Sequence, residues 1–151
     1  MILYLDASAL VKRYVAEPGS IAVADAIAQA DVVGTSLISR AETVAALAKA
    51  VRVGVLTKEE AYAAVLLFRS EWPIFVRVQA TETLVMRADT LAWELGLRGT
   101  DAVQLASALI WQESMEQQIV LATFDRQLGE AAHQRGLTTF PEELTATKGS
   151  H

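Results

Sequence analysis

The chain alternates short, β-branched apolar runs with longer segments of helical periodicity, and this alternation constrains its fold more than any other feature. Ile2 to Leu5, Asp31 to Thr35, Ile74 to Val78 and Ile119 to Ala122 read as strands, with Leu137 to Phe140 as a weak fifth at an edge. Helical spacing fills the intervals. It covers Ala7 to Tyr14, a segment through Ile21, Ala24 and Ile27, and one from a Ser36 cap to about Val53. It resumes from the TKEE capping box at Thr57 to Glu60 as far as Trp72, from Thr81 through Leu95, from a Thr100 cap over Asp101 to about Glu116, and over Phe124 to Gln134. Strands separated by helices pair in parallel, and such a sheet is covered on both faces. The expected fold is α/β, with a central parallel sheet of four or five strands.

At 151 residues, 52% of them apolar and 21% charged, the chain suits one globular domain rather than a disordered segment. We assign that domain to residues 1–147 and set aside Lys148 to His151, whose KGSH resembles the start of an affinity tag. Cysteine is absent, which excludes disulfides, thiolate metal sites and thiol nucleophiles; any metal must be held by oxygen or histidine. The longest apolar run, Ala61 to Phe68, is far shorter than a membrane span, and Met1 leads directly into strand-like sequence, so a cytoplasmic protein is expected. The net charge of −5 argues weakly against a general nucleic-acid binder.

A carboxylate at the end of a buried strand needs partners, because an unpaired buried charge is costly. Asp6 ends the first strand, and Asp125 follows the fourth within "VLATFDRQL". In an open parallel sheet, ligands bind beyond the carboxyl ends of the strands, where strand order reverses. Asp101 opens a helix after "LRGT", and Glu42 lies about two turns into the helix after the second strand, so four acids can converge there. Singly, Asp101 and Asp125 also suit ordinary helix starts, and Glu42 a solvated helix face. Together, four carboxylates repel one another unless a counter-charge joins them. Mg²⁺ or Mn²⁺, bound through oxygen with a substrate phosphate, supplies it and activates water for phosphodiester hydrolysis. Lys12, Arg13, Arg40, Arg98 and Arg126 each lie within a few residues of one of these acids; they read either as a cationic rim for a phosphate backbone or as solvated surface charges.

The segments "LDASALVKRY", "SRAETVAAL", "LRGTDAVQLASA" and "LATFDRQL", in that order, resemble the PIN domain and within it the VapC-like toxins, over Met1 to about Leu144. The resemblance implies a three-layer α/β/α sandwich and a metal-dependent endoribonuclease, usually dimeric and inhibited by a small antitoxin encoded beside it. Asp6, Glu42, Asp101 and Asp125 match the family's acidic metal-binding set, and Ser8 and Thr123 its small hydroxyl positions. Leu128 stands where many relatives carry phenylalanine, at a core position.

Other readings fit less well. An aspartyl-phosphate phosphatase needs a second Asp two residues after the first, and Ser8 stands there; a receiver-type phosphoacceptor needs a lysine after a late strand, where the chain has Thr123, Phe124 and Asp125. A catalytically silent module that binds RNA or protein is the non-enzyme alternative. His133, late in a helix, is given no catalytic role, and Trp72, Trp93 and Trp111 read as core or interface residues. Tyr62, Val65, Leu66, Leu67 and Phe68 spread around more than one face of their helix, which fits either burial on several sides or a second copy of the chain. An antitoxin helix is expected beside the first two helices, around Val11, Val15 and Ile21, directing an arginine at the acids.

Overall fold

Ile2–Leu5 forms β1, every residue of it buried, at the centre of a five-stranded sheet. An unbroken apolar run suits a strand covered on both sides. Ile2 and Tyr4 face one hydrophobic cluster, while Leu3 and Leu5 face another. The computed structural model describes residues 1–142; the rest of the expected domain and the tag-like Lys148 to His151 lie outside the described residues.

The other strands are β2 (Val32–Ser36), β3 (Val76–Val78), β4 (Ile119–Ala122) and β5 (Thr138–Phe140), all parallel in the order β3-β2-β1-β4-β5. The chain runs outward from β1 to β3, then returns to the other side of β1. Strand order therefore reverses beside β1, at its boundary with β4. The helices are α1 (Ala7–Leu10), α2 (Ser20–Gln29), α3 (Ser39–Arg52), α4 (Lys58–Glu71), α5 (Glu82–Leu95), α6 (Gly99–Met115) and α7 (Arg126–Gln134). Leu84 and Leu91 of α5, Leu105 and Trp111 of α6, and Leu128 of α7 cover one face. Leu10, Val23 of α2, and Phe68 of α4 with Trp72 cover the other, completing three layers. Gly34 in β2 has a packing role: a Cβ there would stand 2.6 Å from the Trp111 ring.

Several boundaries differ from the sequence expectations. Ser36 is not the cap of α3; it is the last residue of β2, paired with Val78, and its hydroxyl accepts from the Ile38 amide while the helix begins three residues later. Glu42 consequently sits in the first turn of α3 rather than two turns in. Residues Trp72–Ile74 form a 3₁₀ turn, in which Pro73 has no amide to give a sheet ladder, and β3 shrinks to Val76–Val78. Thr100 does not cap α6; the extended Arg98 takes that position, and the helix opens at Gly99. Only Ala7–Leu10 of the first helical segment is α-helix, continued by a 3₁₀ turn over Val11–Arg13. The capping box at Thr57 and Glu60 is formed, as is the Thr81 cap of α5.

Trp72 and Trp111 are core residues, whereas Trp93 is 89% exposed. Helix α4 buries Ala61, Ala64 and Phe68 but leaves Tyr62, Leu66 and Leu67 in solvent, so it is not enclosed on several sides within one chain.

Candidate functional site

Asp6 leaves β1 at the point where strand order reverses, and only 3% of it is exposed. Its Oδ1 accepts from the Ala9 amide at 2.9 Å, capping α1, and from the Ser8 hydroxyl at 2.7 Å; its Oδ2 accepts from the Thr123 hydroxyl at 2.5 Å. The two hydroxyls are themselves oriented by the turn after β4. Ser8 Oγ accepts from the Phe124 amide at 2.9 Å, and Thr123 Oγ1 from the Asp125 amide at 3.1 Å. Each hydroxyl has one proton, and these amides leave it to point at Asp6. Burial nevertheless dominates, pushing the Asp6 carboxyl up to about 6 against the pull of Thr123, Ser8 and Ala9, with the charge of Asp101 adding to the rise.

Glu42 reaches the same cleft from α3. Gln104 of α6, 2% exposed, holds it: its Nε2 donates to Glu42 Oε1 at 2.8 Å and to Ser39 Oγ at 3.0 Å, while its Oε1 accepts from the Tyr4 hydroxyl at 2.6 Å. Burial raises the Glu42 carboxyl above its ordinary range, the Gln104 bond opposes the rise, and Asp101 adds to it. Sequence reasoning passed over Tyr4 and Gln104. The available signal was an amide inside the apolar stretch "DAVQLASAL", on a helix face that had to be buried.

Asp101, in the first turn of α6, and Asp125, which caps α7 through the Leu128 amide at 2.9 Å, complete the acidic set. Arg98 bridges them: Nε lies 2.9 Å from Asp101 Oδ2, and Nη2 lies 2.7 Å from Asp125 Oδ2. Burial raises the Asp101 carboxyl, with the Arg98 bond opposing and Asp125 reinforcing. All four acids line one cleft of about 210 Å³, together with Ala7, Ser8, Arg98, Thr100 and Gln104.

The five basic residues do not share this placement. Arg98 alone among them lines the cleft. Lys12 pairs with Glu17 at 3.0 Å and lies over the Phe124 ring, Arg13 pairs with Glu71 at 2.9 Å, Arg40 lies over Trp72, and Arg126 is exposed just past Asp125. A larger groove of about 800 Å³ runs along the outer side of α3, lined by Leu37, Arg40, Val44 and Arg69 among others. It contains no carboxylate and is not where this chemistry lies.

Among the described residues, no three Asp, Glu or His side chains stand close enough to grip an ion as they are. The donor set nevertheless fits a hard cation: four carboxylates, two of them directed into the cleft by protein hydrogen bonds, and no thiolate. Arg98 meanwhile supplies one positive charge, shared between Asp101 and Asp125.

Comparison with known proteins bears on the family and the fold. A family profile for the PIN domain matches residues 3–134. Ribonuclease VapC45 of Mycobacterium tuberculosis (strain CDC 1551 / Oshkosh) is 36% identical over 143 residues, spanning 95% of this chain and 97% of the relative. Among solved structures, PAE2754 from Pyrobaculum aerophilum superposes with a TM-score of 0.65 at 21% identity, over 99% of this chain and 90% of that one. A toxin–antitoxin complex from Klebsiella pneumoniae contains a chain matching at a TM-score of 0.55 and 16% identity, over 78% of this chain and 83% of that one. These structural likenesses are likenesses of fold.

Proposed function

Because the chain belongs to the PIN domain family, in its VapC-like branch, we propose that it is a metal-dependent endoribonuclease and the toxin of a toxin–antitoxin pair. The observation that carries the reading is the convergence of Asp6, Glu42, Asp101 and Asp125 on one cleft at the reversal of strand order. No cysteine is present, and His133 is exposed on α7, so neither a thiol nor an imidazole lines the cleft.

The four carboxylates would hold Mg²⁺ or Mn²⁺, which when bound lowers the pKa of water and stabilises the leaving oxygen of a phosphodiester. The rest of the work falls to the chain. Ser8 and Thr123 keep Asp6 in one orientation and offset part of its desolvation, and Gln104 does the same for Glu42. Burial raises three of the acids, so their carboxylates favour a positive partner strongly once ionised.

The relatives support an antitoxin partner. The surface expected for it, beside the first two helices, is grooved: a cavity of about 200 Å³ is lined by Val11, Val15, Ala46, Ala50 and Val53 among others, and Ile21 is 80% exposed nearby. An amphipathic helix suits this surface. The exposed Tyr62, Leu66 and Leu67 of α4 support a homodimer.

One experiment tests the assignment: incubation of the purified protein with single-stranded RNA in Mg²⁺ or Mn²⁺, in excess chelator, and in stoichiometric complex with the product of the neighbouring gene. Cleavage is expected only with metal and without the partner, leaving 5′-phosphate and 3′-hydroxyl ends. Robust cleavage in chelator, or 2′,3′-cyclic ends, overturns the mechanism. Undiminished cleavage in the complex removes the inhibitor, and a monomer by light scattering removes the dimer.

A further inference from the structure

Arg98 is held differently from the two acids it meets. Its side chain is 71% exposed, while those of Asp101 and Asp125 are 14% and 25% exposed. The guanidinium therefore closes over the acids from the solvent side. Its backbone lies in the extended position before α6, with no side-chain cap bond of its own. Asp125 spends Oδ1 on the Leu128 amide and turns Oδ2 to Arg98; Asp101 also meets Arg98 through Oδ2. The two oxygens that meet the guanidinium thus belong to two acids of the proposed metal set.

We propose that Arg98 is a displaceable counter-ion, occupying the charge position between Asp101 and Asp125 that a divalent cation must take, so that metal binds only as the guanidinium swings out. The inference rests on the metal-nuclease reading given above. Its basis is physical: two carboxylates that share the single positive charge of one bridging guanidinium bind a cation less well than the same carboxylates left bare, because the incoming ion must break both ion pairs first. The pairs are at the surface, so the obstacle is small enough to be overcome. The long, exposed side chain can leave without disturbing the core, which is not true of any group bonded to Asp6.

The test is Mn²⁺ binding by isothermal titration calorimetry on the chelator-stripped, dialysed protein, comparing the wild type with Arg98→Ala, Arg98→Gln and Arg98→Lys. Removing the charge should tighten Mn²⁺ binding by about tenfold, the scale of two exposed ion pairs. Arg98→Lys should lie between, since an ammonium keeps the charge but not the planar fork that bridges two carboxylates. The Mn²⁺-induced rise in melting temperature should likewise be larger in Arg98→Ala and Arg98→Gln than in the wild type. The neutral glutamine keeps most of the side-chain volume, so it decides the matter if the alanine variant folds poorly. If the wild type binds Mn²⁺ and the neutral variants bind it equally or more weakly, Arg98 does not compete with metal and the inference fails alone. If no variant and no wild type binds Mn²⁺, the metal-nuclease reading fails and takes the inference with it.

Discussion

Asp6 and Asp125 face each other across one cleft and are held by opposite means. Asp6 is buried, receives three hydrogen bonds from the protein and points where the ends of β1 and β4 direct it. Asp125 is one-quarter exposed, gives one oxygen to a helix cap and the other to an exposed surface guanidinium. The inner wall is therefore built by the fold, and the outer wall is held by charge. In the proposed metal site this difference would divide the work: a buried, preoriented carboxylate would fix where a cation sits, and an outer pair with an exchangeable partner would let it enter.

The comparison breaks most sharply on activity. Asp6→Asn keeps the size of the side chain and can retain much of its hydrogen bonding, yet removes the fixed charge of the inner wall. RNA cleavage by Asp6→Asn is expected to fall roughly a hundredfold or more, beyond the usual loss from residues that merely support a ligand. Asp101→Asn should behave similarly. Circular dichroism should show both variants folded. Cleavage within a few-fold of the wild type would mean that the buried wall is structural and the reading of the cleft is wrong.

A smaller effect, on stability, follows from burial of the same carboxyl. Asp6 is raised to about 6 in the folded protein, and an ordinary aspartate titrates near ~3.9 in an unfolded chain. The folded state therefore binds the extra proton between these values. The contribution is fully present below pH ~4 and is lost as pH rises through about 6; Glu42 and Asp101 shift in the same direction. Measured by urea unfolding in chelator, the wild type should lose roughly 3 kcal/mol relative to Asp6→Asn between pH ~4 and ~7. Saturating Mn²⁺ should shrink that loss, since it stabilises the ionised form. A pH-independent difference between the two proteins would show that the Asp6 carboxyl is not raised in the folded protein, its hydrogen bonds offsetting its burial.

Legibility in the sequence follows the same division. The position of Asp6 could be read because its signal is local, a wholly apolar strand ending in a carboxylate, whereas the hydroxyls that hold it came only through the family resemblance, Thr123 reaching Asp6 across 117 residues. The parallel sheet could be read for the same reason, from alternating periodicities. Boundaries slipped where tertiary contacts overrode a local signal. Ser36 looked like a helix cap, but pairing with Val78 keeps it in the strand, and the Leu37 amide donates to the Val78 carbonyl at 2.9 Å. Thr100 looked like a cap, but the chain turns into α6 at Gly99. The support of Glu42 by Gln104 spans 62 residues, and the bridge from Arg98 to Asp125 spans 27. Such pairings depend on how α3, α6 and α7 meet at the sheet, which no local pattern encodes. Hence Arg98 read as one member of a basic rim, when it is the guanidinium that closes the acids.

The smallest expected effect sharpens the comparison from the outer side. In Asp125→Asn the amide oxygen can still accept from the Leu128 amide, because asparagine caps helices about as well as aspartate. What it loses is the charge opposite Arg98, an exposed pair contributing roughly 0–1 kcal/mol. Thermal or urea unfolding of Asp125→Asn should therefore fall within about 0.5 kcal/mol of the wild type, whereas Asp125→Ala, which also loses the cap, should be less stable by about 1 kcal/mol. Cleavage by Asp125→Asn should drop less than by Asp6→Asn, since the fixed charge at the back of the cleft remains. Equal destabilisation by asparagine and alanine would mean that the bond to Arg98, and not the cap, secures the start of α7. The guanidinium would then be a structural tie, and the outer wall would be as firmly built as the inner one.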